Sequence, residues 1–180
     1  MQSIFPKVNF MNEVDFESRL KNITNFIFDV DGVMTDGSLG SLESGEMFRT
    51  FNVRDGYACE RAFKAGFRIC VITGGNQQGV RNRMEYLNIK DIFMGSGGIS
   101  KLSIYDKYIT ENMIQESNIL YMGDDIPDLE VMQRPHVLSA APKDAVNEIL
   151  NISNYITSKK GGKGAVREVI EMVMKAQGKW

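Results

Sequence analysis

Residues 26–37 read FIFDVDGVMTDG, an apolar run that ends in two aspartates and a glycine. An apolar run with turn residues behind it is typical of a buried strand in a parallel sheet. Asp29 closes the run, Asp31 follows two residues later, and Gly32 allows a sharp turn. Such a pair can divide catalytic work, one carboxylate as nucleophile or metal ligand and the other as acid and base. The alternative is a turn in which each Asp side chain bonds its own backbone.

Strand-like and helix-like patterns alternate along the rest of the chain. Asp55 is expected to cap a helix that ends at Gly66, with Tyr57, Cys59, Ala62 and Phe63 facing inward. This alternation predicts an α/β fold, a Rossmann-like doubly wound parallel sheet with helices on both faces. The expected strands are residues 25–30, 67–73, 91–94, 119–122, 137–139 and, more weakly, 155–157.

Two segments fall outside the alternation. Residues 38–53 have β-type residues on either side of a Glu-Ser-Gly turn, which predicts a β-hairpin inserted after the first strand. Residues 1–22 form an N-terminal extension with a short amphipathic stretch. We therefore expect one domain over residues 23–180, which matches the size of a 180-residue chain with 43% apolar residues.

Charge and composition exclude several classes of partner. Lys and Arg total 21 against 23 Asp and Glu, a net charge of −2, so the basic excess that nucleic-acid binding needs is absent. No apolar run approaches the roughly 18 residues of a membrane span, which predicts a cytoplasmic protein without a membrane partner. The two cysteines, Cys59 and Cys70, lie in apolar settings and are expected to be buried, reduced and inert.

Polar residues follow three further strands or loops, at the edge where open α/β sheets bind ligands. Thr73 and the glycines after it suit a phosphate oxygen, although Thr-Gly-Gly is also an ordinary turn. Lys101 begins a helix and is a candidate partner for phosphate or for acids, against the alternative of an exposed lysine. Asp124, Asp125 and Asp128 indicate a Mg²⁺ site, against the alternative of a solvated helix N-terminus.

These four groups occur in the order acid pair, Thr-Gly, Lys, acid cluster, and this order resembles the haloacid dehalogenase superfamily of aspartyl phosphotransferases. Its motif D-x-D-G-x-x-T/V resembles residues 29–35. The segments DGVMTDG, GEMFRTFNVRDG and GGKGAVREV are similar to the capless subfamily that contains 3-deoxy-D-manno-octulosonate 8-phosphate phosphatases and the related nonulosonate 9-phosphate phosphatases. The resemblance extends from about residue 23 to residue 172.

The resemblance implies a role for each site residue. Asp29 would form an aspartyl phosphate, while Asp31 would protonate the leaving sugar oxygen and then activate water. The other implied roles are Mg²⁺ binding by Asp29, the Asp31 carbonyl and Asp124, phosphoryl binding by Thr73, Gly74 and Lys101, and orientation of these groups by Asp125 and Asp128.

The substrate side of the site is less defined. Relatives usually have Thr-Gly-Arg where this chain has Gly75, so the cation expected for the substrate carboxylate would be Arg54, Lys163 or Arg167. The resemblance implies a sugar-acid phosphate as substrate, with 3-deoxy-D-manno-octulosonate 8-phosphate as the first choice and a nonulosonate 9-phosphate as the alternative. The subfamily is typically a homotetramer, and the tail with Lys163 and Arg167 would reach its own or a neighbouring site.

Two other classes of protein compete with a phosphatase. A receiver-type switch domain also uses a phosphorylated Asp, a Thr and a Lys, but its phosphorylated Asp follows the third strand. Here the third strand ends in Phe93-Met94-Gly95, without an acid. A non-enzymatic scaffold would leave unexplained why the acids gather at one edge of the sheet.

Overall fold

Strands and helices alternate throughout the computed structural model, which describes residues 12–95 and 98–180. The strands in these residues are β1 (Asn25–Phe28), β2 (Gly40–Ser41), β3 (Met47–Phe48), β4 (Arg68–Thr73), β5 (Asp91–Met94), β6 (Ile119–Met122), β7 (Leu138–Ala141) and β8 (Tyr155–Ile156). The helices are α1 (Glu13–Asn22), α2 (Val53–Lys64), α3 (Gln78–Tyr86), α4 (Lys101–Glu111), α5 (Leu129–Met132), α6 (Asn147–Leu150) and α7 (Ala165–Ala176), with 3-10 helices at Glu116–Asn118 and Ile126–Asp128.

Six strands form the central sheet, in the order β5-β4-β1-β6-β7-β8, and every neighbouring pair is parallel. This confirms the predicted α/β class and parallel sheet. Strand β1 lies between β4 and β6, where Phe26 is in register with Ile69 on one side and Leu120 on the other. The carboxyl ends of β4, β1 and β6 are therefore adjacent.

Alternate side chains of the strands enter two separate cores. On one face, Phe26 and Phe28 pack in a cluster with the buried sides of α1, α2, α3 and α7. On the other face, Ile27 packs with Tyr105 of α4 and with residues of α5 and α6. Because successive strand side chains point to opposite faces, a continuous apolar strand needs helices on both sides.

The insertion after β1 is a two-stranded antiparallel hairpin, as predicted. Strands β2 and β3 pair Gly40 with Phe48 and Ser41 with Met47. The apolar side chains of the hairpin are not fully covered, since Leu42 in the turn after β2 and Phe48 of β3 are each 49% exposed. The hairpin is therefore an arm at the edge of the domain.

Helix α2 differs from its prediction at both the cap and the buried face. Its N-cap is Asn52, whose side chain accepts a hydrogen bond from the Arg54 amide at 2.8 Å. The prediction that Asp55 caps this helix is wrong, because Asp55 already lies in the first turn. Tyr57 and Phe63 were expected to face inward but are 49% and 43% exposed.

Cys59 and Ala62 of α2 are buried as predicted. Cys59 and Cys70 are both free and buried, and burial raises the pKa of the Cys59 thiol to about 12. A thiol with this pKa carries almost no thiolate near neutral pH, which supports the prediction that Cys59 is inert.

Helix α1 belongs to the packed body of the molecule. Phe16 and Leu20 are fully buried, and the Phe16 ring stacks on Tyr155 with 5.6 Å between ring centroids. The Gln177 side chain donates to the carbonyl oxygens of Leu20 and Ile23 and so ties the end of α1 to the chain after α7. In the residues described, no helix has the length and apolar character needed to cross a membrane.

Candidate active site

The predicted site residues gather at the carboxyl edge of the sheet. Asp29 directly follows β1, Thr73 is the last residue of β4, and Asp124 follows β6 by two residues. Lys101 is the first residue of α4. Ser100 is the N-cap of this helix, and its side chain accepts a hydrogen bond from the Ser103 amide. The parallel topology thus brings together residues that are up to 95 positions apart in sequence, from Asp29 to Asp124.

A buried ion-pair network joins Asp29, Lys101 and Asp128. The Lys101 Nζ lies 2.9 Å from Asp29 Oδ2 and 2.8 Å from Asp128 Oδ1. The Tyr121 hydroxyl donates a 2.6 Å hydrogen bond to the same Asp128 oxygen, and Tyr121 is fully buried. Burial disfavours the charged lysine, but the two carboxylates outweigh burial and raise the pKa of Lys101.

Three carboxylates form a group suited to a cation. One oxygen from each of Asp29, Asp124 and Asp128 lies within 4.8 Å of the other two. Burial and the neighbouring negative charges raise the pKa of Asp124 to about 7, and burial and Asp128 raise the pKa of Asp29 to about 7 despite Lys101. Within the described residues, Asp124 Oδ1 and Asp128 Oδ2 are buried without a hydrogen-bond partner.

These features fit a divalent cation. Unpaired buried carboxylate oxygens are costly, and a bound cation would remove both the missing partners and the repulsion. Ligands that are all oxygens suit Mg²⁺ better than zinc. Gly32 adds a steric observation: its φ is +82°, and a Cβ there would overlap the Asp124 carboxylate. Glycine therefore lets the loop after β1 approach Asp124 closely.

Thr73 and Gly74 lie at the end of the neighbouring strand, as expected for a phosphate-binding turn. Thr73 is 2% exposed, and its Oγ1 accepts a 3.2 Å hydrogen bond from the Gly75 amide. Gly74 is exposed and lies at the mouth of the sheet. The turn leads into α3, whose N-cap Gln77 makes no side-chain capping bond.

Asp31 lies in the loop after β1 and is held by Arg49, which follows strand β3 of the hairpin. Arg49 Nε and Nη2 donate to the two Asp31 oxygens at 2.5 and 2.8 Å, and Nη1 donates to Gln77 Oε1 at 2.8 Å. The Arg49 side chain is 5% exposed, whereas that of Asp31 is 40% exposed. Asp31 is thus fixed on one side and open to solvent on another.

The other predicted residues lie apart from this cluster. Asp125 is exposed and accepts a hydrogen bond from the Ile126 amide at 2.7 Å, which caps the 3-10 helix Ile126–Asp128. Arg54, Lys163 and Arg167 line a cavity of 940 Å³ between α1 and α7, and no carboxylate of the Asp29 group is among its lining residues. The structure of the chain does not bring these cations together with Asp29.

Lys163 is nonetheless tied to the loop that carries the aspartates. Its Nζ lies 3.0 Å from Asp36 Oδ2, and the Gly162 amide donates to the Val33 carbonyl at 3.0 Å. The Asn52 side chain donates to the Gly162 carbonyl at 3.2 Å. The predicted basic tail therefore packs against the loop after β1, with its lysine already paired.

Three residues of the site were missed by sequence reasoning. Arg49 and Gln77 belong to segments that we read as hairpin and turn, and nothing in their spacing indicates that they meet Asp31. Tyr121 lies in an apolar strand, where a tyrosine is expected to be an ordinary core residue. Its fully buried hydroxyl, bonded to Asp128, is the signal, but only the fold shows this contact.

Comparison with known proteins gives close relatives across the whole chain. No family model matches. The 3-deoxy-D-manno-octulosonate 8-phosphate phosphatase KdsC of Escherichia coli (strain B / BL21-DE3) is 36% identical over 165 residues, which are 92% of this chain and 86% of that protein. The crystal structure of the phosphatase of the same name from Yersinia pestis has a TM-score of 0.87 and 34% identity, and it covers 96% of this chain and 95% of that one.

A third relative was solved with ligands. The 3-deoxy-D-manno-octulosonate 8-phosphate phosphatase from Moraxella catarrhalis, in complex with magnesium ion, phosphate ion and the sugar acid KDO, has a TM-score of 0.87. It is 31% identical and covers 93% of this chain and 94% of that one.

Fold and site together define a phosphoric monoester hydrolase of the haloacid dehalogenase superfamily. The acid pair after β1, Thr73, Lys101 and the acids after β6 lie together at the carboxyl edge of the sheet, and their individual roles stay predictions. Within that superfamily, the chain belongs to the KdsC family of 3-deoxy-D-manno-octulosonate 8-phosphate phosphatases.

Proposed function

We propose that this chain hydrolyses 3-deoxy-D-manno-octulosonate 8-phosphate to the sugar acid and phosphate, with Mg²⁺ and through an aspartyl phosphate on Asp29. The observation that carries the proposal is the buried group of Asp29, Lys101, Asp128 and Asp124, in which two carboxylate oxygens have no partner among the described residues. The choice of substrate is supported by a relative named for this substrate, which is 36% identical over 92% of this chain.

The proposed ligands of Mg²⁺ are Asp29, the Asp31 carbonyl and Asp124, with Asp128 next to them. When bound, the cation would withdraw charge from the phosphoryl oxygens and reduce their repulsion with the attacking carboxylate. Asp128 fits an orienting role, since its Oδ1 already binds Lys101 and Tyr121. Outer groups of this kind fix the direction of a ligand or of a charged partner.

In the first step, a carboxylate oxygen of Asp29 attacks phosphorus, and the bond between phosphorus and the sugar oxygen breaks. Asp29 is well placed to stay fixed during attack, because its Oδ1 accepts the Val30 amide at 2.7 Å and its Oδ2 pairs with Lys101. Lys101, the Thr73 hydroxyl and the Gly74 amide would hold the transferring phosphoryl group.

Asp31 would handle the protons of both steps. It gives a proton to the departing sugar oxygen, and then takes one from the water that attacks the aspartyl phosphate. That attack releases phosphate and restores the Asp29 carboxylate. The 40% exposure of the Asp31 side chain supports this role, since a substrate oxygen and then a water can reach it.

A nonulosonate 9-phosphate is the second candidate substrate, because Gly75 leaves the identity of the sugar acid open. The arginine usual among relatives is absent there, so the contact to a substrate carboxylate must come from elsewhere. We propose Arg54, Lys163 and Arg167 for this contact. Because they line a cavity that excludes the Asp29 group in one subunit, they would act on the site of a neighbouring subunit in a homotetramer.

A phosphate-release screen tests the substrate. Purified protein with Mg²⁺ is given 3-deoxy-D-manno-octulosonate 8-phosphate, a nonulosonate 9-phosphate and hexose phosphates at equal concentration. The proposal expects the highest kcat/KM for the octulosonate ester. A higher value for the nonulosonate ester selects the second candidate, and equal values for all sugars would contradict both.

The cytoplasmic location of the protein remains a prediction, which cell fractionation tests.

Two variants test the mechanism. Asp29→Asn is expected to abolish turnover without loss of fold, because the amide is a poor nucleophile and a weaker metal ligand. Asp31→Asn, given p-nitrophenyl phosphate, whose leaving group needs no proton, is expected to slow only the hydrolysis of the intermediate, so that mass spectrometry of quenched protein finds one added phosphoryl group. Asp106→Asn, on the surface of α4, is the matched control. Turnover by Asp29→Asn within tenfold of the wild type would contradict the nucleophile assignment.

A further inference from the structure

We infer that Arg49 is a positioning residue that fixes the direction of the Asp31 carboxylate, and that Gly75 leaves the space that Arg49 needs. The inference rests on the proposed function, in which Asp31 transfers the protons. Arg49 comes from the inserted hairpin and not from the sheet, so the hairpin would supply part of the catalytic apparatus of its own subunit.

The first observation is the geometry of the contact. Both Asp31 oxygens accept hydrogen bonds from one guanidinium, through Nε and Nη2. A planar guanidinium bound in this two-point manner fixes the plane of the carboxylate as well as its place, which a lysine cannot do. The two oxygens of a carboxylate offer about four lone-pair sites, so two remain to carry the transferred proton and to meet a substrate oxygen or a water.

The second observation is that Arg49 is itself held. Its Nη1 donates to Gln77 Oε1, and Gln77 is the N-cap residue of α3 whose side chain caps nothing. The arginine side chain is 5% exposed, although the hairpin strands beside it are exposed. Arg49 thus links the hairpin, the loop after β1 and the loop after β4 in one network around Asp31.

The third observation concerns Gly75. A Cβ at this position would lie 3.0 Å from Arg49 Nη2 and 3.3 Å from Gln77 Oε1. Contacts this short force a neighbour to move, and here the neighbour is the guanidinium that holds Asp31. A side chain at position 75 would therefore require the Arg49 guanidinium or the Gln77 amide to shift by a few tenths of an ångström, which links the departure at Gly75 to the placement of the proton-transferring acid.

Arg49→Gln tests the inference, with two substrates that differ in leaving group. On a sugar phosphate, whose leaving oxygen needs a proton, kcat is expected to fall about 10- to 100-fold, with KM within about threefold of wild type. On p-nitrophenyl phosphate, whose leaving group needs no proton, we expect a burst of one p-nitrophenol per site. Slow turnover should follow, because water attack on the aspartyl phosphate still needs Asp31.

Further variants separate positioning from simple stability. Arg49→Lys is expected to have a kcat between those of Arg49→Gln and the wild type. It keeps the positive charge, but it loses the two-point contact. Arg81→Gln removes an arginine from a surface pair 3.8 Å from Glu85 and should behave as the wild type. Gly75→Ala should lower kcat at least about twofold in the wild-type background and have no effect in Arg49→Gln, because no guanidinium is left to displace.

The outcomes are distinct. A burst in Arg49→Gln with a melting temperature near that of the wild type supports the inference. Unchanged kcat, or equal losses on both substrates without a burst, overturns it and leaves Arg49 as a tie for the hairpin. If Arg49→Gln does not fold, the same burst is required of Arg49→Lys and Gly75→Ala, and its absence overturns the inference. A wild type that cleaves no phosphate ester would instead contradict the proposed function.

Discussion

At the scale of single residues, Asp128 shows how the site is held in place. It is fully buried, one oxygen binds both Lys101 and Tyr121, and the other oxygen has no partner among the described residues. A buried carboxylate in this position is stable only if its contacts keep their geometry. The Tyr121 hydroxyl is the one neutral donor in that set, so it can be removed without changing the net charge.

Tyr121→Phe is therefore expected to lower both stability and kcat. Loss of the 2.6 Å hydrogen bond leaves a buried acceptor less satisfied, which costs about 1–3 kcal/mol in the free energy of unfolding. Because Asp128 holds Lys101 against Asp29, kcat should fall about tenfold as well. Urea denaturation and steady-state kinetics measure the two effects.

Tyr108→Phe is the matched control for this variant. The Tyr108 hydroxyl donates to Asp91 Oδ2 at 2.9 Å, and the residue is 1% exposed, so a similar hydrogen bond is lost away from the site. We expect a similar loss of stability with kcat close to that of the wild type. If both variants lose activity in proportion to stability, Tyr121 has no special role in placing Lys101.

The raised pKa values of Asp29 and Asp124 predict a pH dependence of metal-free stability. Both are about 7 in the folded chain against 3.8 for the unperturbed group, so the folded state binds more protons between these values. The free energy of unfolding then falls as pH rises through this window, and the stability that protonation supplies is lost above about pH 7.

Added Mg²⁺ should reverse that loss. At about pH 5.5 the cation must displace protons, whereas at about pH 8 the carboxylates are free, so the rise in melting temperature with Mg²⁺ should be larger at the higher pH. Thermal melts with Mg²⁺ or with EDTA at the two pH values measure it. Asp124→Ala should lose most of the Mg²⁺ effect. An equal rise at both pH values would contradict the assignment of these acids as ligands.

At the scale of elements, helices α2 and α7 are joined through Asp55. Asp55 is 2% exposed, and its carboxylate accepts hydrogen bonds from the amides of Gly164 at 3.2 Å and Arg167 at 2.7 Å. The N-cap of α7 is Gly164, with φ +105° and no side-chain cap, so the carboxylate of another helix satisfies the free amides. A negative charge there also suits the positive end of the α7 dipole.

Asp55→Ala is expected to destabilise the fold by about 1–3 kcal/mol, through the loss of two buried hydrogen bonds at a helix N-terminus. Urea denaturation measures this change. Glu60→Ala, which removes only a surface pair with Lys64 on the same helix, should stay within about 0.5 kcal/mol of the wild type. Equal effects of the two variants would mean that Asp55 does not hold α7.

The same aspartate shows what the sequence could and could not predict. The strands, their parallel arrangement and the clustering of Asp29, Thr73, Lys101 and Asp124 follow from apolar runs and from the edge at which parallel strands end. The sequence predicted Asp55 as a cap for its own helix, because capping rules consider only residues that are close in sequence. Its partner, α7, begins 110 residues later, from Asp55 to Ala165, and no spacing rule connects the two.

The exposed residues of α2 were misread for a related reason. Tyr57 and Phe63 are apolar at positions that a helical pattern assigns to the core, but the neighbouring core is already filled by residues such as Ala58 and Ala62. Periodicity counts apolar residues and does not measure the space that receives them. Arg49 is the complementary case, since a charged residue after an exposed strand gave no sign that it would be buried.

At the scale of the whole molecule, exposed apolar side chains concentrate in one stretch. Residues 39–57 hold six of the twelve large apolar side chains that the described part of the chain leaves exposed: Leu39, Leu42, Met47, Phe48, Val53 and Tyr57. Exposed apolar side chains that lie close together are typical of surfaces for association. It supports the proposed homotetramer, in which hairpins and α2 helices of neighbouring subunits would cover one another.

Arg167→Ala tests whether the cavity cations serve the substrate. It is expected to raise KM for the sugar-acid phosphate and to leave p-nitrophenyl phosphate little changed, because the lost contact is to the leaving group. Arg54→Ala and Lys163→Ala should act in the same direction. Equal changes on the two substrates would mean that these residues act through folding or assembly.

Leu42→Glu tests whether assembly of subunits is needed for the preference for the sugar-acid phosphate. Leu42 is 49% exposed on the hairpin, so a charge there should spare the fold of one subunit and oppose burial between subunits. Sedimentation is expected to show a tetramer for the wild type and smaller species for the variant, with KM raised for the sugar-acid phosphate more than for p-nitrophenyl phosphate. Val14→Glu, at a 77% exposed position on α1, is the control and should remain tetrameric. A smaller species with unchanged specificity would show that each subunit binds its substrate without its neighbours, and the carboxylate contact would then have to lie within one chain.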